Sequence, residues 1–188
     1  MAFRAVTDAC TLYPFSLRDA LLRLAAIELF DIHWSDRILG EVSSNLQERG
    51  IADEARAKRL LEHMTQAFPA ACVPEEKIAQ LEGAMPNNEK DRHVLAAAVV
   101  AGAEAIVTFN IKDFPEDACA ALGVDPIHPD DFLLILDTIN PAAVEEILTE
   151  QAADLRKPPM TLLELLDSLE RVVPQFAATV RARAQHLG

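Results

Sequence analysis

The segment Val94–Ala101, reading VLAAAVVA, is apolar on every side. It is far too short to cross a bilayer, which takes about 20 residues. A helix with no polar face has no side to give to water, so it has to be enclosed by the rest of the protein. Gly102 follows as a stop, and Ala105 to Phe109 then reads as a buried strand. A buried helix running straight into a buried strand points to a sheet covered by helices.

The rest of the chain alternates to match. Phe3 to Thr7 reads as a short buried strand. Ser16 is the expected cap of a helix carrying Leu17, Leu21 and Leu24. Phe30 to Trp34 reads as extended, and Ser35 caps a helix with Ile38, Leu39, Val42 and Leu46 as its stripe and Gly50 as its stop. A more polar helix over 52–67 ends before Pro69. A strand at 71–73 and a short helix from Pro74 to Met85 follow. Val124 to His128 is the expected last strand, and Pro129 opens a helix to Asp137. The order predicts an α/β fold over residues 1–137, a small parallel β-sheet flanked by helices. Trp34, the single tryptophan, is expected in the core.

Residues 138–188 read as an all-helical C-terminal extension. Asn140-Pro141 is a helix start, Lys157-Pro158-Pro159 a break, and Thr161 with Glu164 a capping box. Pro174 opens a final helix ending near Leu187. The stripe Leu162, Leu163, Leu165, Leu166, Leu169 and Val173 is too apolar for a free helix. It has to cover the first domain, a second copy of the chain in a homodimer, or another partner.

A formal charge of −13 argues against a protein that coats nucleic acid through a broad basic field. It leaves room for an acidic site whose bound cation reverses the local field. Three scattered cysteines, Cys10, Cys72 and Cys119, show no zinc spacing and read as reduced thiols of a cytoplasmic protein. No signal-peptide pattern and no membrane-length apolar run is seen.

Four carboxylates fall where elements begin or end, or beside an apolar stripe: Asp8, Glu41, Asp91 and Asp113. Each alone has an ordinary explanation. Asp8 and Asp113 suit turns or caps, Asp91 suits a helix N-terminus, and Glu41 suits a solvated helix face. Together, in an α/β fold, they can converge beyond the carboxyl ends of strands, where ligands bind. Two carboxylates 4 Å apart repel by about 4 kcal/mol at an effective dielectric of 20. Protons or a hard divalent cation relieve such a cluster, and that cation's usual chemistry is on phosphates. Arg18 and Arg92 lie in first helical turns, where the dipole disfavours cations, and an anionic partner explains both. Thr108, Asn110 and Lys112 flank the end of the second buried strand and can contact a phosphate. His93 is a candidate ligand or proton shuttle, and a packed histidine is the commoner case.

The stretches VTDACTLYP, WSDRILGEV and DRHVLAAAVVAGAEAIVTFNIKDFP resemble the PIN-domain family, and within it the VapC-like toxins. The resemblance implies that Asp8, Glu41, Asp91 and Asp113 bind magnesium or manganese and cut RNA. It implies an endoribonuclease whose partner is a protein antitoxin. A PIN nuclease of RNA processing without an antitoxin, and a non-catalytic binding module, are the alternatives. An aspartate-nucleophile phosphatase is disfavoured because the position two after Asp8 is Cys10 rather than an acid. No Walker-type or GxGxxG phosphate loop is present.

Overall fold

The computed structural model describes residues 3–155 and 159–186; the Lys157-Pro158 break and the helix end near Leu187 lie outside them. In chain order the elements are β1 (Arg4–Thr7), α1 (Ala9–Leu12), α2 (Phe15–Ala26), β2 (Asp31–Ser35), α3 (Asp36–Glu48) and α4 (Glu54–Ala67). Then come β3 (Cys72–Val73), α5 (Glu75–Glu82), α6 (Arg92–Ala101), β4 (Ala105–Val107), α7 (Glu116–Ala120) and β5 (Asp125–Ile127). Helices α8 (Pro129–Ile139), α9 (Pro141–Asp154), α10 (Leu162–Glu170) and α11 (Pro174–His186) complete the chain. They form two compact units, one of residues 1–13 and 30–127, the other of 14–29 and 128–188. Helices α2 and α8, which composition groups with residues 1–137, lie with the later helices.

The first unit carries a five-stranded sheet in the order β3-β2-β1-β4-β5, parallel throughout. This is the helix-flanked parallel sheet that the alternation predicts. Ala5, Val6 and Thr7 of β1 and Ala105, Ile106 and Val107 of β4 are fully buried. Such short unbroken apolar strands are what a sheet covered on both faces requires. Helix α6 packs on β1, β2 and β4, with Leu95, Ala96, Ala97 and Ala98 fully enclosed. Gly102 ends it at φ 61°, a left-handed conformation that a Cβ disfavours. Ser35 caps α3 by accepting the Ile38 N–H at 3.2 Å, as its position predicts. Trp34 is fully buried, its ring edge-on to Phe68 at 5.9 Å between centroids.

The strand order fixes where a site can form. From β1 the chain steps outward to β2 and β3, then returns to the other side of β1 as β4 and β5. The crevice beyond the carboxyl ends of β1 and β4 is therefore a topological switch point.

The second unit is five helices: α2, α8, α9, α10 and α11. Leu17, Leu21 and Leu24 of α2 are fully buried, with α2 against α9 and α10. Asp130 of α8 is 2% exposed and accepts the N–H groups of Gln175 and Phe176 in the first turn of α11, at 3.0 and 2.8 Å. Arg183 holds Asp137 with two hydrogen bonds of 2.9 and 2.8 Å and Glu145 with one of 2.9 Å. The Thr161–Glu164 capping box forms as expected. Ser16 does not cap α2: the helix starts at Phe15 after an extended Pro14, and the Ser16 hydroxyl lies 2.9 Å from that of Ser168. Of the leucine stripe, Leu165, Leu166, Leu169 and Val173 are fully buried, whereas Leu163 is 44% exposed.

Candidate active site

Asp8 immediately follows β1, and its N–H continues the ladder by donating to the Val107 carbonyl at 3.1 Å. The residue is 5% exposed, and both carboxylate oxygens accept hydrogen bonds. One carboxylate oxygen accepts the Ala9 N–H at 2.6 Å; the other accepts the Thr108 hydroxyl at 2.6 Å and the Cys10 thiol at 3.2 Å. Thr108 sits just past the end of β4, completely buried, and its oxygen also accepts the Asn110 N–H at 3.1 Å. Asp8 and Thr108, 100 residues apart, are thus locked together across the switch point. Hydrogen bonds to an ionised acceptor are short and strong, and they fix the carboxylate's orientation.

Asp91 occupies the N-terminal cap position of α6 but makes no capping bond with its side chain. One of its carboxylate oxygens, Oδ2, is buried and has no hydrogen-bond partner among the described residues. Burial pushes the Asp91 carboxyl above its ordinary range; Asp113 and Asp8 push it further, against the pull of Lys90 and His93. The structure therefore brings Asp8, Asp91 and Asp113 within electrostatic reach of one another. Asp113 closes a 3-10 turn, Ile111–Asp113, that follows β4 and is anchored by the buried Phe114. Glu41 lies midway along α3, and its Oε1 is 3.1 Å from Nε2 of His93.

Of the expected substrate contacts, Asn110 and Lys112 are exposed on the loop after β4. Arg92 is half-buried and donates from Nε to the Asn87 carbonyl at 3.3 Å. Arg18 belongs to the second unit, is 6% exposed, and has its guanidinium over the Phe15 ring at 5.7 Å. Burial lowers its pKa from the ordinary arginine value.

Cys10 takes a part that its residue type did not announce. The Cys10 thiol donates to Asp8, lies 3.4 Å from the Thr108 hydroxyl and accepts the Phe109 N–H at 3.4 Å. Burial, then the neighbouring Asp8, pushes the thiol from 9.0 up to about 11, so it stays protonated and can donate. All three cysteines are free. The only sequence signal for Cys10 is its place two residues after a strand-end aspartate.

Hard oxygen donors, an unpartnered buried carboxylate oxygen and mutual repulsion at Asp91 all suit a divalent cation. Among the described residues, no three His, Cys, Asp or Glu side chains already form a ready coordination group. The donor chemistry fits the ion.

A parallel sheet with acidic residues at the switch between its first and fourth strands defines the class, and a PIN-domain profile matches residues 4–112. The chain belongs to the PIN-domain family. Residues 129–182 match a profile described as the VapC50 C-terminal domain. The chain is similar to a Mycobacterium tuberculosis protein named "Putative ribonuclease VapC50", at 46% identity over 101 residues. That match covers 54% of this chain and 60% of the relative, so the chain spans less than two thirds of the relative's length. No solved structure matches. Among the described residues, no helix is long and apolar enough to cross a membrane.

Proposed function

We propose that the protein is a magnesium- or manganese-dependent endoribonuclease that hydrolyses RNA phosphodiester bonds, and that it is the toxin of a type II toxin–antitoxin pair in the cytoplasm. The observation that supports this reading is a strand-end aspartate, Asp8, whose charge reaches the half-buried Asp91, one of whose carboxylate oxygens is buried and unpartnered. Asp8, Glu41, Asp91 and Asp113 would hold the cation. When bound, it supplies Lewis-acid polarisation of the phosphoryl group and a water ionised near neutral pH.

The chain's own residues do the rest. Thr108, Cys10 and the Ala9 N–H fix the rotation of the Asp8 carboxylate. Asn110 and Lys112, exposed beside Asp113, offer an amide and an ammonium to a backbone phosphate. Arg92 adds charge at the start of α6. Arg18 is too deeply buried to be offered with them. The relative's ribonuclease name and the PIN-domain match support the same reaction class.

The test is cleavage of a labelled RNA by the full chain with Mg2+ or Mn2+. Activity should vanish in EDTA and in Asp8→Asn or Asp91→Asn. Full activity under any of these conditions refutes the cation-dependent mechanism. As a toxin, the wild type should arrest growth when expressed alone, and Asp8→Asn should not. Harmless expression of a verified active enzyme would favour an RNA-processing nuclease without an antitoxin.

A further inference from the structure

Tyr13, the only tyrosine of the chain, stands at the end of the one-turn helix α1, which Asp8 opens. The turn is tied down at both ends. The Leu12 N–H donates to the Asp8 carbonyl at 3.2 Å, and the Tyr13 N–H donates to the Ala9 carbonyl at 3.0 Å. The Thr11 hydroxyl donates to the Val107 carbonyl at 2.9 Å. A helix of this length rises about 6–8 Å, so one bound strand can reach both Asp8 and Tyr13. Helix α1 packs on α3, and Arg49 ends α3 about two turns after Glu41. The Arg49 guanidinium lies over the Tyr13 ring, 4.8 Å from its centroid. The tyrosine is half-buried and the arginine is exposed.

Arg49 is set apart from the chain's other exposed arginines. Its guanidinium has no carboxylate partner among the described residues, although acidic residues outnumber basic ones 30 to 17. Arg37, also exposed, holds Glu82 with two bonds of 2.6 and 3.0 Å. A helix C-terminus favours a positive charge but does not call for a ring beneath it. A cation over a ring at an exposed site adds little stability of its own. What the pair does offer is a flat, cationic surface backed by a ring and held close to Asp8. Unstacked bases of single-stranded RNA stack on aromatic rings and on guanidinium planes.

We propose that Arg49 and Tyr13 form a stacking subsite for one nucleobase of a single-stranded RNA, beside the carboxylates. The proposal rests on the ribonuclease reading above and names the part of the substrate that this surface takes. The base stacks on the guanidinium plane, with the tyrosine ring behind it. Stacking of this kind accepts any base, so the subsite selects unpaired strands rather than a sequence.

The experiment measures binding by fluorescence anisotropy in Asp91→Asn protein with Mg2+, where the RNA should stay uncut. The probes are a labelled oligouridylate of about 12 nucleotides and a ribose-phosphate chain of the same length without bases. Arg49→Lys keeps the charge and loses the plane. Tyr13→Leu keeps an apolar side chain and loses the ring. Asp91→Asn alone should prefer the oligouridylate by about 5–150-fold. Either further substitution should remove most of that preference. Binding of the base-free chain, and its salt dependence, should stay the same in Arg49→Lys.

An unchanged preference in Arg49→Lys overturns the proposal. So does equal binding of the two probes by Asp91→Asn, or an equal loss on both probes in Arg49→Lys, which would make Arg49 a phosphate contact. If Tyr13→Leu fails to give a cooperative melt, Arg49→Lys decides. If neither probe binds, the proposal falls, and a wild type that also cleaves no RNA takes the ribonuclease reading with it. If Asp91→Asn still cuts RNA, the cage reading alone falls, and the two probes are compared as competitors of cleavage.

Discussion

Replacing Thr108 by valine isolates the bond on which the candidate site turns. The side chain is fully buried, and valine nearly matches its shape, so the change is chemical rather than steric. It removes a 2.6 Å hydrogen bond to Asp8 and the acceptor of the Asn110 N–H. A hydrogen bond to a charged group contributes about 1.5–3 kcal/mol. Asn110 is exposed, so water can replace the lost acceptor there at little cost. The added methyl group returns up to about 0.8 kcal/mol through burial. The net loss is about 1–2 kcal/mol, a fall in melting temperature of about 2–8 °C for a chain of this size. Trp34, the single tryptophan, is buried in the same unit, so its fluorescence during urea unfolding reports that unit. In an Asp8→Asn background the acceptor is no longer an anion, and the same substitution should cost less than half as much. An equal cost in both backgrounds, or a cost below about 0.3 kcal/mol, would show that Asp8 is not held by Thr108 as the geometry says.

Other outcomes follow from the same structure. Asp91 has a raised folded-state pKa, so its stabilising contribution is present while it is protonated, below the unfolded value of 3.8, and is lost as pH rises through the raised folded value. Asp91→Asn should therefore melt above metal-free wild type at neutral pH, with the gap closing in acid; a gap independent of pH would contradict the stated burial and repulsion. Saturating Mn2+ should stabilise wild type by about 2.7 kcal/mol at a hundredfold excess over Kd, and Asp8→Asn much less; equal rises would place the ion elsewhere. Arg183→Met strands the buried Asp137 carboxylate. Breaking a buried pair costs about 3–5 kcal/mol, reduced here to about 2–3 because Arg183 is 26% exposed; adding Asp137→Leu should recover more than half of that, as followed by helical circular dichroism. Cutting the chain after Asn140 takes α9–α11 away from Leu17, Leu21 and Leu24 of α2. The truncated protein should bind a hydrophobic dye and aggregate, and a soluble, cooperatively folding fragment would count against the five-helix unit.

The sequence by itself determined the elements. Val94–Ala101 offers no polar side, and the structure encloses it from Val94 to Ala98 while leaving residues 99–101 half-buried; Gly102 ends it as expected. Ser35, Asn140-Pro141 and Thr161–Glu164 marked helix starts because capping is local chemistry, readable within four residues. Ser16 misled because a serine that can cap can also pair with a distant hydroxyl, here that of Ser168. Asp8, Asp91 and Asp113 were visible as residue types at element ends and Glu41 beside an apolar stripe, and the likeness to PIN domains grouped them. Only the tertiary structure decided the rest. Strand order set β4 beside β1 and so joined Asp8 to Thr108 across 100 residues. Helix packing brought Glu41 of α3 to within 3.1 Å of His93 of α6 and left Oδ2 of Asp91 buried without a partner among the described residues. Chain contacts drew α2 out of its sequence neighbourhood into a helical unit with the C-terminal half. Pairing across the chain depends on what each buried group finds at its end, and no local pattern of residues encodes that.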